Sequence, residues 1–246
     1  MAIVLIGYGE AARAFVGGGL AADAAYDADL AKRDGIAAHD NLASAMAKAD
    51  IILSLVSADQ VMIAAGNAAQ HISPNALFCD MNSVAPETKR TAASVIEKAG
   101  GRYVDIAIMA PVYPKRMDVP LLVSGPHCAV GAATMSAAGF NDVRIVGDTV
   151  GKASAIKMIR SVMIKGVEAL TAEMILAARA ADVEAEVLAS LGDGWADKAA
   201  YNLERMATHG ARRAAEMEES MKTLASLGID PMMTRGTIIR QREMAA

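Results

Sequence analysis

The chain opens on a glycine triplet that narrows its fold at once. Val4-Leu5-Ile6-Gly7-Tyr8-Gly9-Glu10-Ala11-Ala12 has the form G-x-G-x-x-A, with an apolar run before it and a helix-forming stretch after it. The first glycine permits a tight turn. The second lets the backbone approach a pyrophosphate, and the small third residue allows close helix–strand packing. The helix N-terminus then offers N–H groups and a partial positive charge to phosphate. These residues point to a βα unit that opens a dinucleotide-binding domain, with Gly7, Tyr8, Gly9, Glu10 and Ala11 as cofactor contacts. Glu10 is an awkward neighbour for phosphate, so its side chain should point away. The plainer alternative is a glycine-tightened turn without a ligand.

The rest of the first 150 residues fits such a domain. Ile3 to Ile6, Ile51 to Val56, Ala76 to Asp80, Tyr103 to Ile106, Pro120 to Ser124 and Val143 to Val146 read as strands. Their unbroken apolar character suits a parallel sheet covered on both faces. Ala11 to Val16, Leu42 to Lys48, Ala58 to Asn67 and Ala85 to Lys98 read as the intervening helices. This alternation predicts a doubly wound α/β Rossmann sheet over residues 1–150. A further strand through Ala24, Ala25 and Tyr26 ends at Asp27, where an acid can bond a ribose 2′-OH and repel a 2′-phosphate. That favours NAD over NADP. Asp29 competes for the role, and Lys32 and Arg33 offer charge to a 2′-phosphate. Val56 and Ser57, at the end of the strand from Ile51 to Val56, join the expected cofactor contacts.

From residue 151 the strand signal disappears. Ala153 to Leu191 is rich in good helix formers and lacks proline. Ile156, Ile159, Met163, Val167, Leu170 and Met174 form one apolar helix face. Asp197 to His209 and Arg212 to Leu227 read as two more helices, stopped by Gly228. A smaller all-α domain over residues 151–246 is expected, serving substrate binding and dimerisation. Its apolar face needs a partner, and a second copy of the chain is the simplest one, giving a homodimer.

Composition excludes several other classes. Hydrophobic residues make up 54% and charged residues 21%, which rules out disorder. A net charge of −4 argues against nucleic-acid binding. No apolar run reaches the ~18 residues of a membrane helix. Cys79 and Cys128 are too few for a disulfide scaffold, so a reducing, cytoplasmic location is expected. The four histidines show no metal-ligand spacing, so no metal is expected.

Two later segments carry candidate chemistry. Asp80-Met81-Asn82-Ser83-Val84-Ala85-Pro86 ends a strand and starts a helix, the position where doubly wound sheets bind ligands. Asn82 and Ser83 can reach a cofactor carboxamide or a substrate there, or Ser83 caps the next helix. In Gly151-Lys152-Ala153-Ser154-Ala155-Ile156-Lys157-Met158-Ile159-Arg160-Ser161, Lys157 shares a helix face with Arg160 and Ser161. A lysine against an apolar face suits proton transfer, or else snorkels to a carboxylate.

Taken together these segments resemble the β-hydroxyacid dehydrogenase family of the 6-phosphogluconate dehydrogenase-like superfamily. They look closest to a phosphogluconate-dehydrogenase-like branch in which Met-Ala-Pro and Lys-Met-x-Arg-Ser replace the usual motifs. The resemblance implies NAD or NADP as cofactor and Lys157 as the catalytic lysine. It implies a hydride exchanged with a small, anionic hydroxy acid or related alcohol. The family's Asp-Ala-Pro-Val-Ser-Gly-Gly reads Asp105-Ile106-Ala107-Ile108-Met109-Ala110-Pro111 here, and its asparagine after the lysine reads Ser161. Arg160 is expected to take over part of the lost anion site, with Tyr113, Lys115 and Arg116 adding to it. Lys165 is expected at the surface, and Arg212 and Arg213 on a solvated helix face. His209 is the candidate contributed across a dimer. An imine reductase, whose relatives usually lack the lysine, and a non-catalytic dinucleotide sensor are the competing readings.

Overall fold

The computed structural model describes residues 2–29, 39 and 41–245. The chain divides into two compact units, residues 1–157 and 158–246. In the first, Ile3–Ile6 (β1) leads into Glu10–Val16 (α1), Ala24–Tyr26 (β2), Leu42–Met46 (α2) and Ile51–Ser54 (β3). Val61–Ala69 (α3), Leu77–Asp80 (β4), Pro86–Lys98 (α4) and Arg102–Ile108 (β5) follow. Leu121–Ser124 (β6), Cys128–Ala137 (α5) and Val143–Gly147 (β7) complete it.

Among the described residues the strands form one seven-stranded sheet in the order β2-β1-β3-β4-β5-β6-β7. The first five of these pair in parallel, but β6 runs antiparallel to β5. The expectation of a wholly parallel sheet is corrected at this point. A parallel return needs a crossover helix, and residues 109–120 hold only a 3-10 turn at Arg116–Asp118. Successive side chains feed two cores, one on each face. Leu5, Leu53, Cys79 and Ile106 pack with Phe15 and Phe140, while Val4, Ile52, Phe78 and Tyr103 pack with Met46 and Ile96. Burial on both faces explains why these strands lack polar alternation.

Lys152–Ala180 (α6) starts in the first unit and supplies the second, with Glu184–Ser190 (α7), Trp195–Ser226 (α8) and Met232–Glu243 (α9). The expected two helices over 197–227 are one. Gly210 lies inside α8, where an added Cβ would stand 2.3 Å from the Gln241 carbonyl oxygen. Its glycine admits a neighbouring backbone and does not stop the helix. The unit's core is lean, with Ala169, Ala172 and Met206 in one cluster and Ala214, Met217 and Ile238 in another. Ile159, Met163 and Leu170 of α6 are 47%, 68% and 63% exposed. No helix among the described residues is long and apolar enough to cross a membrane.

Candidate active site

The glycine loop leaves β1 through Gly7, whose φ is +91°. A Cβ there would lie 2.4 Å from the Leu55 carbonyl oxygen, so the turn requires glycine. Gly9 has an ordinary φ of −82°, and nothing lies within 4 Å of a Cβ built on it. It faces a cleft of about 420 Å³ that is also lined by Gly7, Asp27, Asp29, Val56 and Ser57. Gly9, the N-cap of α1, has no side chain with which to cap the helix. Ala12 is fully buried, as the close helix–strand approach demands. An open approach at Gly9, a glycine at the helix N-cap and an acid at the end of β2 fit a dinucleotide.

Asp27 also braces the loop. Its Oδ2 accepts the Tyr8 N–H at 2.7 Å, and its Oδ1 accepts the Asp29 N–H at 2.9 Å. The Tyr8 ring lies in the core and its N–H is engaged, so Tyr8 supports the loop and does not face the cleft. Glu10 is exposed and Ala11 half-buried. Lys32 and Arg33 fall outside the described residues.

Asn82 is buried and ties strand ends together. Its Oδ1 accepts the Val56 N–H at 2.7 Å, and its Nδ2 donates to Ser54 Oγ at 2.9 Å and Asp80 Oδ1 at 2.7 Å. Both amide hydrogens are therefore used, and Asn82 shapes the Val56–Ser57 loop instead of offering a donor to a ligand. Ser83 is different. Its Oγ is buried without a hydrogen-bond partner among the described residues. Ala85, not Ser83, occupies the N-cap of α4, with Pro86 at its first turn, so the capping alternative fails.

Sequence reasoning missed the polar cluster beneath these loops. Asp80 and Asp105 stand side by side in register on β4 and β5. Lys89, fully buried on α4, puts its Nζ 2.8 Å from Asp80 Oδ1 and 3.4 Å from Asp105 Oδ1. Tyr103 donates its hydroxyl to Asp80 Oδ2 at 2.6 Å. Burial, and then the Asp80 charge, push the Tyr103 phenol well above its usual value. Two buried acids in register on adjacent strands require a cation, and that pairing was the available signal. On the same strand as Asp80, burial pushes the Cys79 thiol up to about 12.

Lys157 is half-buried in the second turn of α6, Arg160 is exposed and Ser161 is buried. The loop after Pro111 turns elsewhere. Arg116 donates to the Gly17 carbonyl at 2.8 Å, at the far end of α1 from Gly9. Tyr113, Lys115 and Arg116 line a separate hollow of about 530 Å³ there. Tyr113, Lys115 and Arg116, expected to add to the substrate's anion site with Arg160, thus line a hollow beside Gly17 and Gly18.

In the second unit His209 is half-buried on α8. Lys165 is buried, its Nζ 2.6 Å from Glu216, and is not a surface residue. Desolvation lowers its amine below the usual lysine range, against the opposing pull of Glu216. Arg213 leaves the expected solvated face for a buried pair, donating Nε to Glu168 Oε2 at 2.9 Å. Arg212 is exposed.

With this geometry in hand, comparison with known proteins is informative. Residues 20–133 match the NAD binding domain of 6-phosphogluconate dehydrogenase. Residues 178–244 match a domain of unknown function, DUF1932. A conserved hypothetical protein from Sinorhizobium meliloti is 40% identical, covering 98% of this chain and 87% of its own, with a TM-score of 0.77. A conserved protein of unknown function, described as structurally similar to 3-hydroxyacid dehydrogenases, is 29% identical over 99% of this chain and 96% of its own, at a TM-score of 0.76. The 3-hydroxyisobutyrate dehydrogenase of Mycobacterium tuberculosis shares the fold at 16% identity and a TM-score of 0.78, over 98% of this chain and 93% of its own.

Proposed function

This chain belongs to the 6-phosphogluconate dehydrogenase-like superfamily, and from that premise we propose that it is an NAD(P)-dependent oxidoreductase acting on a small hydroxy acid or a related alcohol. One observation carries the reading. The glycine loop follows the carboxyl end of β1 and the unpartnered Ser83 hydroxyl that of β4, two strands of the parallel part of one sheet, while the first turn of α6 is bonded to Asp105 on β5, the strand beside β4. Gly7, Gly9 and Ala11 would hold the pyrophosphate, with Val56 and Ser57 along the opposite wall. Asp27, with Asp29 beside it, favours an unphosphorylated ribose and hence NAD. The nicotinamide ring, when bound, supplies the hydride acceptor or donor.

The chain's own residues do the rest. Lys157 gives or takes the proton of the substrate oxygen at its Nζ. Ser83 Oγ offers a hydroxyl to the substrate or to the carboxamide. Arg160, three residues on, can grip an anionic group in a bidentate fork, with Ser161 next to it. The lysine at 157 speaks against an imine reductase. The exposed stripe of Ile159, Met163 and Leu170 supports burial against a second copy of the chain, with His209 as the residue contributed across it. The two free thiols are in keeping with a reducing compartment.

Titration with NADH and NADPH by nicotinamide fluorescence, followed by turnover of a hydroxy-acid panel, tests this reading. NADH should bind more tightly, and Lys157→Met should cut turnover by about 10²- to 10⁴-fold without loss of cofactor affinity. Cofactor binding with no turnover, unaffected by Lys157→Met, would make the protein a dinucleotide sensor. No binding of either cofactor would end the proposal.

A further inference from the structure

The residues just before the long helix carrying Lys157 bond its first turn, the Lys152 N–H donating to the Thr149 carbonyl at 3.3 Å. That turn is also held by a strand residue some 46 positions earlier. Asp105 Oδ2 accepts the Gly151 N–H at 3.0 Å and the Ser154 N–H at 3.2 Å. Asp105 Oδ1 accepts the Ser154 hydroxyl at 2.6 Å. Ser124 on β6 completes the arrangement: its Oγ accepts the Ala153 N–H at 3.0 Å and donates to Asp105 Oδ2 at 2.9 Å. These are the orphan amides of a helix start, and a carboxylate is the strongest acceptor for them. All of the groups are buried, so losing one leaves a donor with no water to replace it.

Lys89 makes the arrangement tolerable. Without its ammonium, Asp80 and Asp105 would stand in register on adjacent strands inside a dry interior with no cation between them. The same cluster reaches Val56 through Asp80 and Asn82. Hydrogen bonds, together with the Lys89–Asp105 ion pair, therefore join the wall of the cofactor cleft to the start of α6. Lys157 lies three residues past Ser154, on the same side of the helix and one turn further along. A clamp on Ser154 sets the rotation and height of the turn from which Lys157 projects.

We propose that Asp105, kept in place by Lys89, is the positioning residue for Lys157. It clamps the first turn of α6 to β5 and so fixes where the lysine amine stands. The inference deepens the acid–base reading of Lys157 given above and rests on it.

The test uses the full-length chain and the variants Ser154→Ala, Asp105→Asn and Lys157→Met. Amide exchange is followed in the 150–158 peptide, and acetic anhydride labelling of Lys157 is followed across pH against the exposed Lys98. In Ser154→Ala and Asp105→Asn, exchange in that peptide should quicken about tenfold while the glycine-loop peptide is unchanged. Labelling of Lys157 relative to Lys98 should rise about threefold, with a displaced pH midpoint. On any hydroxy acid that is turned over, kcat should fall about tenfold with KM within about twofold. Unchanged exchange overturns the clamp. Faster exchange with unchanged Lys157 labelling and pH midpoint leaves Asp105 a mere helix cap and overturns the positioning role. If Lys157→Met retains full turnover, the acid–base reading fails on its own, while exchange and labelling still decide the clamp. Ser154→Ala removes only a hydroxyl and carries every measurement if Asp105→Asn does not fold.

Discussion

A methyl group added at Gly7 meets the Leu55 carbonyl, whereas one added at Gly9 enters open cleft. The two glycines should therefore separate by experiment. Gly7→Ala should cost about 2 kcal/mol or more of stability, read by chemical denaturation, because it combines a positive φ with a backbone clash. Gly9→Val should leave stability within about 1 kcal/mol and weaken NADH binding at least about tenfold, because its side chain occupies the ligand's space. Tyr103→Phe should cost about 1–3 kcal/mol by leaving Asp80 Oδ2 short of a buried donor. The phenol's raised pKa sets the pH dependence. Its contribution is complete below the ordinary value of 10.0 and is lost as pH climbs from there toward the folded value. Stability of the native chain should fall over that alkaline range more steeply than that of Tyr103→Phe. Asp27 was legible because an acid at a β2 end has a position relative to the glycine loop. Lys89 was not, because a lysine in Pro-Glu-Thr-Lys-Arg-Thr reads as solvent-facing until both acids are placed around it.

Helices and strands were legible where their period was strong. The buried strands announced themselves as apolar runs, and α4 by its amphipathic spacing. Cys128–Ala137 went unread, since small and apolar residues on every side give no period to detect. The direction of β6 was hidden because it depends on what connects it to β5, not on its own four residues. The break expected between His209 and Arg212 is absent, because Gly210 lets the α9 backbone approach α8 without interrupting it. Within the helical unit the Arg213–Glu168 pair links α8 to α6, and Gln241 of α9 adds a bond to Glu168 at 3.1 Å. Arg213→Met should cost about 3–5 kcal/mol in the unfolding transition of that unit, since it strands a buried carboxylate. Adding Glu168→Gln should return much of that loss, because the remaining partner is then neutral.

For the molecule as a whole, the first unit was the more readable part, because strand ends and glycine turns have fixed meanings in a doubly wound sheet. The second is built largely on alanine and methionine, and its contacts are set by which helix faces meet. Its exposed α6 stripe is the face assigned to the proposed second copy. Ile159→Glu with Met163→Glu should convert a dimer to a monomer in sedimentation at micromolar concentration, leaving the helical circular dichroism intact. A native chain that already sediments as a monomer would remove the second copy from the proposal. The stripe also carries its own chemical recorder. Met163 is 68% exposed in the single chain, close to the 65% and 74% of Met232 and Met233 on α9. Dilute peroxide should oxidise all three thioethers at similar rates in a monomer. If a partner lies along α6, Met163 alone should be spared, and its sulfoxide should appear only as dilution frees the face.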